Sequence, residues 1–228
     1  MQRSSQARSP IIGVLALQGD YASHASALED IGAEPRMVRT KEDLSQVDGL
    51  IIPGGESTTF LKLLEREGLF QPLLNFTQTR PTFGTCAGCI LLATKVLRPE
   101  QQSLGVLDAT VERNAYGRQI DSDILSAETS LPGGPLEMVF IRAPRIAKIG
   151  DDVDVLAARD GLPVLVRQQN ILAATFHPEL SHTDDRRVHR YFLQMIEEWM
   201  SKGHAAGDKH SSVIQTVADA KASPADTR

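Results

Sequence analysis

Cys86 stands in the pattern Gly84-Thr85-Cys86-Ala87-Gly88. Glycines two residues before and after a nucleophilic side chain mark a sharp strand-to-helix turn, so tight that a Cβ at either flank would meet neighbouring backbone. Such a turn lifts the side chain to the edge of a sheet. It also sets Cys86 at a helix N-terminus, whose partial positive charge favours thiolate over thiol. The chemistry on offer is attack by sulfur. A second cysteine, Cys89, follows three residues on, inside the expected helix. Cys-x-x-Cys at a helix start can be a redox pair, but the usual flanking residues are missing, and Cys89 reads as core.

A cysteine nucleophile calls for a general base. Of six histidines, His177 stands apart, in Thr175-Phe176-His177-Pro178-Glu179 just past an apolar run. In a parallel sheet, strand C-termini gather on one edge, so His177 and the nucleophile turn are expected to meet there. Glu179, two residues on, can accept from the far imidazole nitrogen and fix its tautomer. His24, His182, His189, His204 and His210 lack such a setting and read as solvated or structural, with His182 the one rival nearby.

A third segment, Pro53-Gly54-Gly55-Glu56-Ser57, is another strand-to-helix loop. Paired glycines let backbone N–H groups approach a ligand closely. With the N–H of Ala87, those of Gly54 and Gly55 can form an oxyanion hole. A phosphate cradle is the other use of such a loop, although no lysine follows in P-loop register.

The elements that must position these residues alternate between apolar runs and amphipathic stretches. Residues 11–17, 48–53 and 82–84 read as strands buried on both faces, with a short strand at 35–39. Residues 21–31 carry Tyr21, Ala25, Leu28 and Ile31 at helical spacing. Ser57 is placed to cap a helix running to Gly68. Helices follow at 69–79 and from Cys86 to about Ala93. From residue 104 the texture changes to successive strands at 105–111, 136–141, 153–158, 163–168 and 171–176, with a hairpin turn at 167–170. A last helix, 184–200, aligns Val188, Tyr191, Phe192, Met195, Ile196 and Trp199. The expected fold is α/β: a mostly parallel, flavodoxin-like sheet flanked by helices, with a late antiparallel section. Residues 1–10 read as a flexible tail, 11–200 as one domain, and 201–228 as a disordered tail too poor in large apolar groups to offset its ordering entropy.

Composition narrows the class. Of 228 residues, 41% are hydrophobic and 23% charged, which excludes a wholly disordered chain. No apolar run reaches the length of a membrane span, and residues 1–10 lack a secretory h-region. A net charge of −5 argues against nucleic acid as the main partner. Two cysteines make no disulfide framework. No cluster has metal-ligand spacing. A cytoplasmic protein without metal, acting on a small molecule or a protein partner, is expected.

Six strings in order carry a resemblance: Leu15-Ala16-Leu17-Gln18-Gly19, Pro53-Gly54-Gly55-Glu56-Ser57-Thr58-Thr59, Gly84-Thr85-Cys86-Ala87-Gly88, Arg113-Asn114-Ala115-Tyr116-Gly117-Arg118-Gln119, Phe140-Ile141-Arg142-Ala143-Pro144 and Ala173-Ala174-Thr175-Phe176-His177-Pro178-Glu179-Leu180. From about Ile11 to Met200 the chain resembles the class I, triad-type glutamine amidotransferases, and among them the glutaminase subunits of pyridoxal 5'-phosphate synthase. The resemblance implies hydrolysis of L-glutamine to L-glutamate and ammonia. It assigns Cys86 as nucleophile, His177 as general base and acid, and Glu179 as orienting carboxylate. Gly55, Glu56 and Ser57 match the family's glutamine-binding loop, and Arg113 and Ile141-Arg142 match further substrate contacts. An arginine fork suits an α-carboxylate; which arginine binds it stays open, and Arg118 reads as a surface or interface salt bridge. The implied partner is a (β/α)8 synthase subunit that receives the ammonia, with no cofactor in this chain; docking near residue 21 and the nucleophile edge is implied too. Departures are Gln169 at a hairpin position expected to be Gly, Asp123 where an aromatic is usual, and the two tails.

Competing readings are weaker. Cysteine hydrolases and chaperone-like proteins of similar fold place a histidine directly after the nucleophile, where this chain has Ala87. A catalytically dead scaffold has no need to keep Cys86, His177 and Glu179 together. An amidotransferase feeding another acceptor is expected to lack the Arg113–Gln119 and Gly54–Thr59 strings.

Overall fold

In the computed structural model, which describes residues 8–113 and 122–203, the chain opens with β1 (Ile11–Leu15), α1 (Tyr21–Glu29), β2 (Glu34–Val38), α2 (Lys41–Ser45), β3 (Gly49–Ile52), α3 (Ser57–Arg66) and α4 (Phe70–Thr79). Next come β4 (Thr82–Thr85), α5 (Ala87–Leu92), β5 (Ala93–Leu97), β6 (Leu107–Glu112), β7 (Ser122–Ala127), β8 (Leu136–Ile141) and β9 (Arg145–Ile149). It ends with β10 (Asp154–Arg159), β11 (Leu162–Gln168), β12 (Ile171–Ala174) and α6 (Arg187–Ser201).

The main sheet has the order β10-β11-β12-β4-β3-β1-β2. Its five strands from β12 to β2 are parallel, and β10 and β11 extend it antiparallel at one edge. Every residue of β3, β4 and β12 is buried, which is why these strands are short unbroken apolar runs rather than alternating ones. Alternate side chains feed two cores. Ile12, Val14, Ile51, Phe83 and Leu172 pack with Leu28 of α1 and Val188, Phe192 and Ile196 of α6. Leu15, Leu50, Ile52 and Ala173 pack with Phe60 and Leu64 of α3, Leu73 and Phe76 of α4 and Leu91 and Leu92 of α5. Each fully buried Val, Leu, Ile or Phe side chain among them contributes roughly 1.5–3 kcal/mol relative to exposure.

The α/β reading is therefore correct, and the late section is more divided than the sequence suggests. Besides the β10–β11 edge, β5, β6 and β9 form a separate three-stranded sheet and β7 and β8 a two-stranded ribbon. Strands β5, β7 and β9 and the five-residue α2 had no clear sequence signal. The residue 167–170 turn joins β11 to β12, with Gln169 at φ +51° in a position that favours glycine. Asp123, the other departure, is ion-paired to Arg159 at 3.0 Å.

Arg8, assigned on sequence to the N-terminal tail, forms a two-pronged pair with Asp48, at 2.7 Å from Nη1 to Oδ2 and 2.6 Å from Nη2 to Oδ1. Asp48 is fully buried and also accepts the Ile11 N–H at 2.9 Å. Most of the Arg113–Gln119 string, Arg118 included, and the tails at 1–7 and 204–228 lie outside the described residues. Among the described residues no helix is long and apolar enough to cross a membrane.

Candidate active site

Strands β4 and β12 are neighbours, with Thr85 level with Ala174. The Cys86 N–H donates to the Ala174 carbonyl at 2.9 Å, the last rung of that ladder. Cys86 therefore emerges one residue past β4 and His177 three residues past β12, at the same sheet edge. The turn is as sharp as the glycine spacing implied. Cys86 has φ 48° and ψ −103°, a conformation strained for any residue with a Cβ. A Cβ on Gly88 would lie 2.1 Å from the Ile52 carbonyl oxygen, so only glycine lets the first turn of α5 seat against β3.

His177 is pinned by its backbone N–H, which donates to the Val139 carbonyl at 2.8 Å. A 3-10 turn over Pro178–Leu180 then brings Glu179 back beneath the imidazole. Glu179 Oε1 lies 2.7 Å from His177 Nδ1. A carboxylate only accepts, so Nδ1 carries the proton and Nε2 is the nitrogen available for catalysis. Gly54 crosses close by: a Cβ there would lie 2.4 Å from His177 Cε1 and 3.3 Å from Cys86 Cβ.

The charges suit a nucleophile. Burial opposes the imidazolium, but its hydrogen bonds to Cys86 and Glu179 and their negative charge outweigh that and push His177 up to about 10. Burial likewise opposes ionised Glu179; the neighbouring His24 and the hydrogen bond and charge of His177 reverse this and hold it at about 2. Cys89 is different. It is fully buried, and desolvation, with the charge of Cys86, pushes its thiol up to about 12. Both cysteines are free, and the redox-pair reading of Cys-x-x-Cys is set aside.

A cavity of about 280 Å³ opens above Cys86. Gly54, Gly55, Glu56, Ser57, Cys86, Arg113, Ile141, Arg142 and His177 all line it, so these sequence candidates converge on one space. Asp20, Ile90 and Leu180 complete the wall. Glu179 sits behind His177, and Ala87 is buried at the start of α5 rather than in the wall. Cys86 Sγ lies 4.0 Å from the Ile141 carbonyl oxygen.

The loop before α3 differs from expectation in one respect. Its cap is Glu56, not Ser57. The Glu56 carboxylate accepts from the N–H groups of Thr58 at 3.2 Å and Thr59 at 2.8 Å, and from both threonine hydroxyls. Burial works against its charge, and these hydrogen bonds more than compensate, lowering it to about 2. Arg113 Nη2 reaches Glu56 Oε1 at 3.0 Å across the cavity. The Ser57 hydroxyl is committed to Gln101 Oε1 at 2.9 Å.

Two contributors escaped the sequence reading. Gln18 Nε2 donates to the Glu56 carbonyl at 3.0 Å and so clamps the glycine loop; its presence in the Leu15–Gly19 string was the available signal. His24 is fully buried on α1, with Nε2 3.3 Å from Glu179 Oε2. It shares a helix face with Tyr21 and Leu28, which was the available hint. His182, the sequence rival to His177, is exposed and lies 3.8 Å from Glu137.

Comparison with known proteins agrees with this geometry. The model of the "SNO glutamine amidotransferase family" matches residues 14–198. A Koribacter versatilis protein named pyridoxal 5'-phosphate synthase subunit PdxT is 60% identical over 185 residues, covering 81% of this chain and 95% of the relative. The protein of the same name from Thermotoga maritima is 50% identical over 188 residues, covering 82% and 99%. A solved structure titled as a glutamine amidotransferase superposes with a TM-score of 0.76 at 48% identity, covering 82% of this chain and 98% of that one. The family match runs from β1 to the last turns of α6 and takes in every wall of the cavity: the chain belongs to the SNO glutamine amidotransferase family.

Proposed function

We propose that this chain hydrolyses the side-chain amide of L-glutamine to L-glutamate and ammonia, with Cys86 as nucleophile, His177 as general base and acid, and Glu179 as the carboxylate that orients His177. The observation that carries this is the 2.7 Å contact between His177 Nδ1 and Glu179 Oε1, set beside a strained Cys86 in a cavity wall. The Cys86 sulfur attacks the amide carbon, and the C=O electron pair moves onto oxygen. Backbone N–H groups of Gly54, Gly55 and Ala87 receive that oxyanion. Collapse breaks the C–N bond, with His177 giving its proton to the leaving nitrogen. A γ-glutamyl thioester and ammonia result. His177 then takes a proton from water, the hydroxide adds to the thioester, and the sulfur leaves as thiolate.

Gly55, Glu56, Ser57, Arg113, Ile141 and Arg142 form the substrate wall. Arg113 or Arg142 takes the α-carboxylate. Glu56 suits the α-ammonium, since its hydrogen bonds keep it ionised. The reaction as written needs neither metal nor cofactor.

The relatives are subunits of a pyridoxal 5'-phosphate synthase by name, and this supports the same role here: the ammonia passes to a partner synthase subunit for pyridoxal 5'-phosphate formation. We infer a (β/α)8 fold for that partner, a catalytic unit spanning residues 11–200 with tails outside it, and a cytoplasmic setting that keeps Cys86 reduced. The test is to supply amide-nitrogen-labelled glutamine to the full chain with its synthase subunit. Label in pyridoxal 5'-phosphate, with one glutamate released per nitrogen transferred, is expected. Glutamate release without labelled product would point to another acceptor.

A further inference from the structure

Behind the Cys86–His177–Glu179 line lies a second buried row. His24 of α1 and His189 of α6 are both fully buried, and His24 Nδ1 lies 3.1 Å from His189 Nε2. The other nitrogen of His24, Nε2, lies 3.1 Å from Thr85 Oγ1 and 3.3 Å from Glu179 Oε2. Thr85 is the residue before Cys86, so the row meets the triad at Glu179 and the nucleophile turn at Thr85.

The proton positions follow from what each group can do. Glu179 Oε2 is buried, can only accept, and has no hydrogen-bond partner among the described residues; His24 Nε2 is the nitrogen beside it, at 3.3 Å. His24 Nε2 therefore carries the hydrogen, bonded to Thr85 Oγ1 at 3.1 Å and facing Oε2 at 3.3 Å through charge alone. Burial lowers the His24 pKa despite the nearby Glu179 carboxylate, so the ring is neutral and Nδ1 is a bare acceptor. His189 Nε2 then donates to it. The row ends at His189 Nδ1, a buried nitrogen with no hydrogen-bond partner among the described residues. The opposite orientation would set two acceptors, His24 Nε2 and Glu179 Oε2, face to face. It would also leave an N–H of His189 stranded, the costlier kind of orphan.

We infer that His24 is a positioning residue for this reaction: its Nε2–H, held in that tautomer by His189, fixes the Glu179 carboxylate so that Oε1 faces His177. Donors from two sides then converge on Glu179: His24 Nε2–H, backed by His189, faces Oε2, and His177 Nδ1–H donates to Oε1. The other charged groups facing the row are Asp20 and His177 around His24 and Arg186 beside His189. The inference rests on the triad assignment above.

The test uses the full chain with its synthase subunit and three variants. His24→Gln keeps an amide N–H near the Nε2 position. His24→Leu fills the space without a donor, and His24→Asn is too short to reach Glu179. Two readouts are taken: kcat and KM for glutamine, and the pH profile of Cys86 alkylation by iodoacetamide. In Leu and Asn we expect kcat to fall about tenfold or more, KM to stay within about twofold, and the alkylation profile to move to higher pH. In Gln both readouts should return most of the way to wild type. Folded Leu or Asn variants with a wild-type kcat and alkylation profile would overturn the inference. Equal damage in Gln and Leu would also overturn it, since space-filling alone would then explain the loss. If His24→Leu does not fold, His24→Asn decides. A Cys86→Ala control separates the claims: residual hydrolysis there defeats the triad itself, whereas an inactive control beside normal His24 variants defeats only the positioning role.

Discussion

Cys86 and Ala174 are hydrogen-bonded neighbours: the N–H of the proposed nucleophile is the last donor of the β4–β12 ladder, at 2.9 Å. The register that pairs those strands therefore also sets where sulfur and imidazole meet. In the proposed reaction loop residues carry the chemistry, and a fully buried parallel ladder positions them.

The roles proposed for His177 and Glu179 are separable. His177→Asn removes the proposed proton carrier and should lower kcat by about a thousandfold or more. Glu179→Gln removes only the orienting charge and should cost less, on the order of ten- to a hundredfold. Steady-state glutamate release by the two variants checks this; a larger loss in Glu179→Gln would contradict the assignment.

Gly54 should be intolerant of any side chain. In Gly54→Ala the new Cβ meets His177 Cε1 at 2.4 Å, and the imidazole must give way. A displacement of that size should lower kcat about a hundredfold while leaving Tm within a few degrees of wild type. Turnover and thermal melting together check it, and wild-type turnover would show that the loop moves freely.

Acid should destabilise the fold through His189 before it reaches Glu179. Burial, then the proximity of His24, lowers His189 from 6.5 to about 3. Below pH 6.5 the unfolded chain binds a proton that the folded chain refuses, so stability is full above that pH and falls as pH falls. Glu179, lowered from 4.5 to about 2, acts in a lower window: its contribution is present above pH 4.5 and lost as pH drops toward 2. His177, raised to about 10, has the opposite sign, and its contribution fades as pH rises from 6.5 toward 10. Denaturation midpoints at pH 7 and pH 5 should show the gap between wild type and His189→Leu narrowing by up to about 2 kcal/mol. A constant gap would mean that His189 is not held neutral.

Arg8 should matter to stability although it lies next to the chain's start. Arg8→Ala leaves the buried Asp48 carboxylate short of its two-pronged donor. The expected loss is about 1–3 kcal/mol in chemical denaturation, with glutaminase turnover at low temperature unchanged. No change in stability would mean that the pair contributes nothing net.

Much of this site could be read from residue types. The Gly84–Gly88 spacing, the unbroken apolar runs at β1, β3 and β12 and the His177-Pro178-Glu179 string each follow a local rule, so they were visible one segment at a time. Features that depend on distant partners were not. His24 and His189 are 165 residues apart, and only the packing of α1 beside α6 makes them a pair. Glu56 caps α3 because two threonines follow it, although glutamate is a weak cap by type. The late strands were visible as strands, yet their division among three sheets depends on pairings that strand sequence does not encode.

The central claim is that Cys86 is the covalent centre of glutamine hydrolysis. Glutamate release from L-glutamine by Cys86→Ala, compared with wild type in the presence of the synthase subunit, tests it most directly. The account predicts a correctly folded variant that still binds its partner and has no measurable turnover. Appreciable glutamate release by that variant would contradict it.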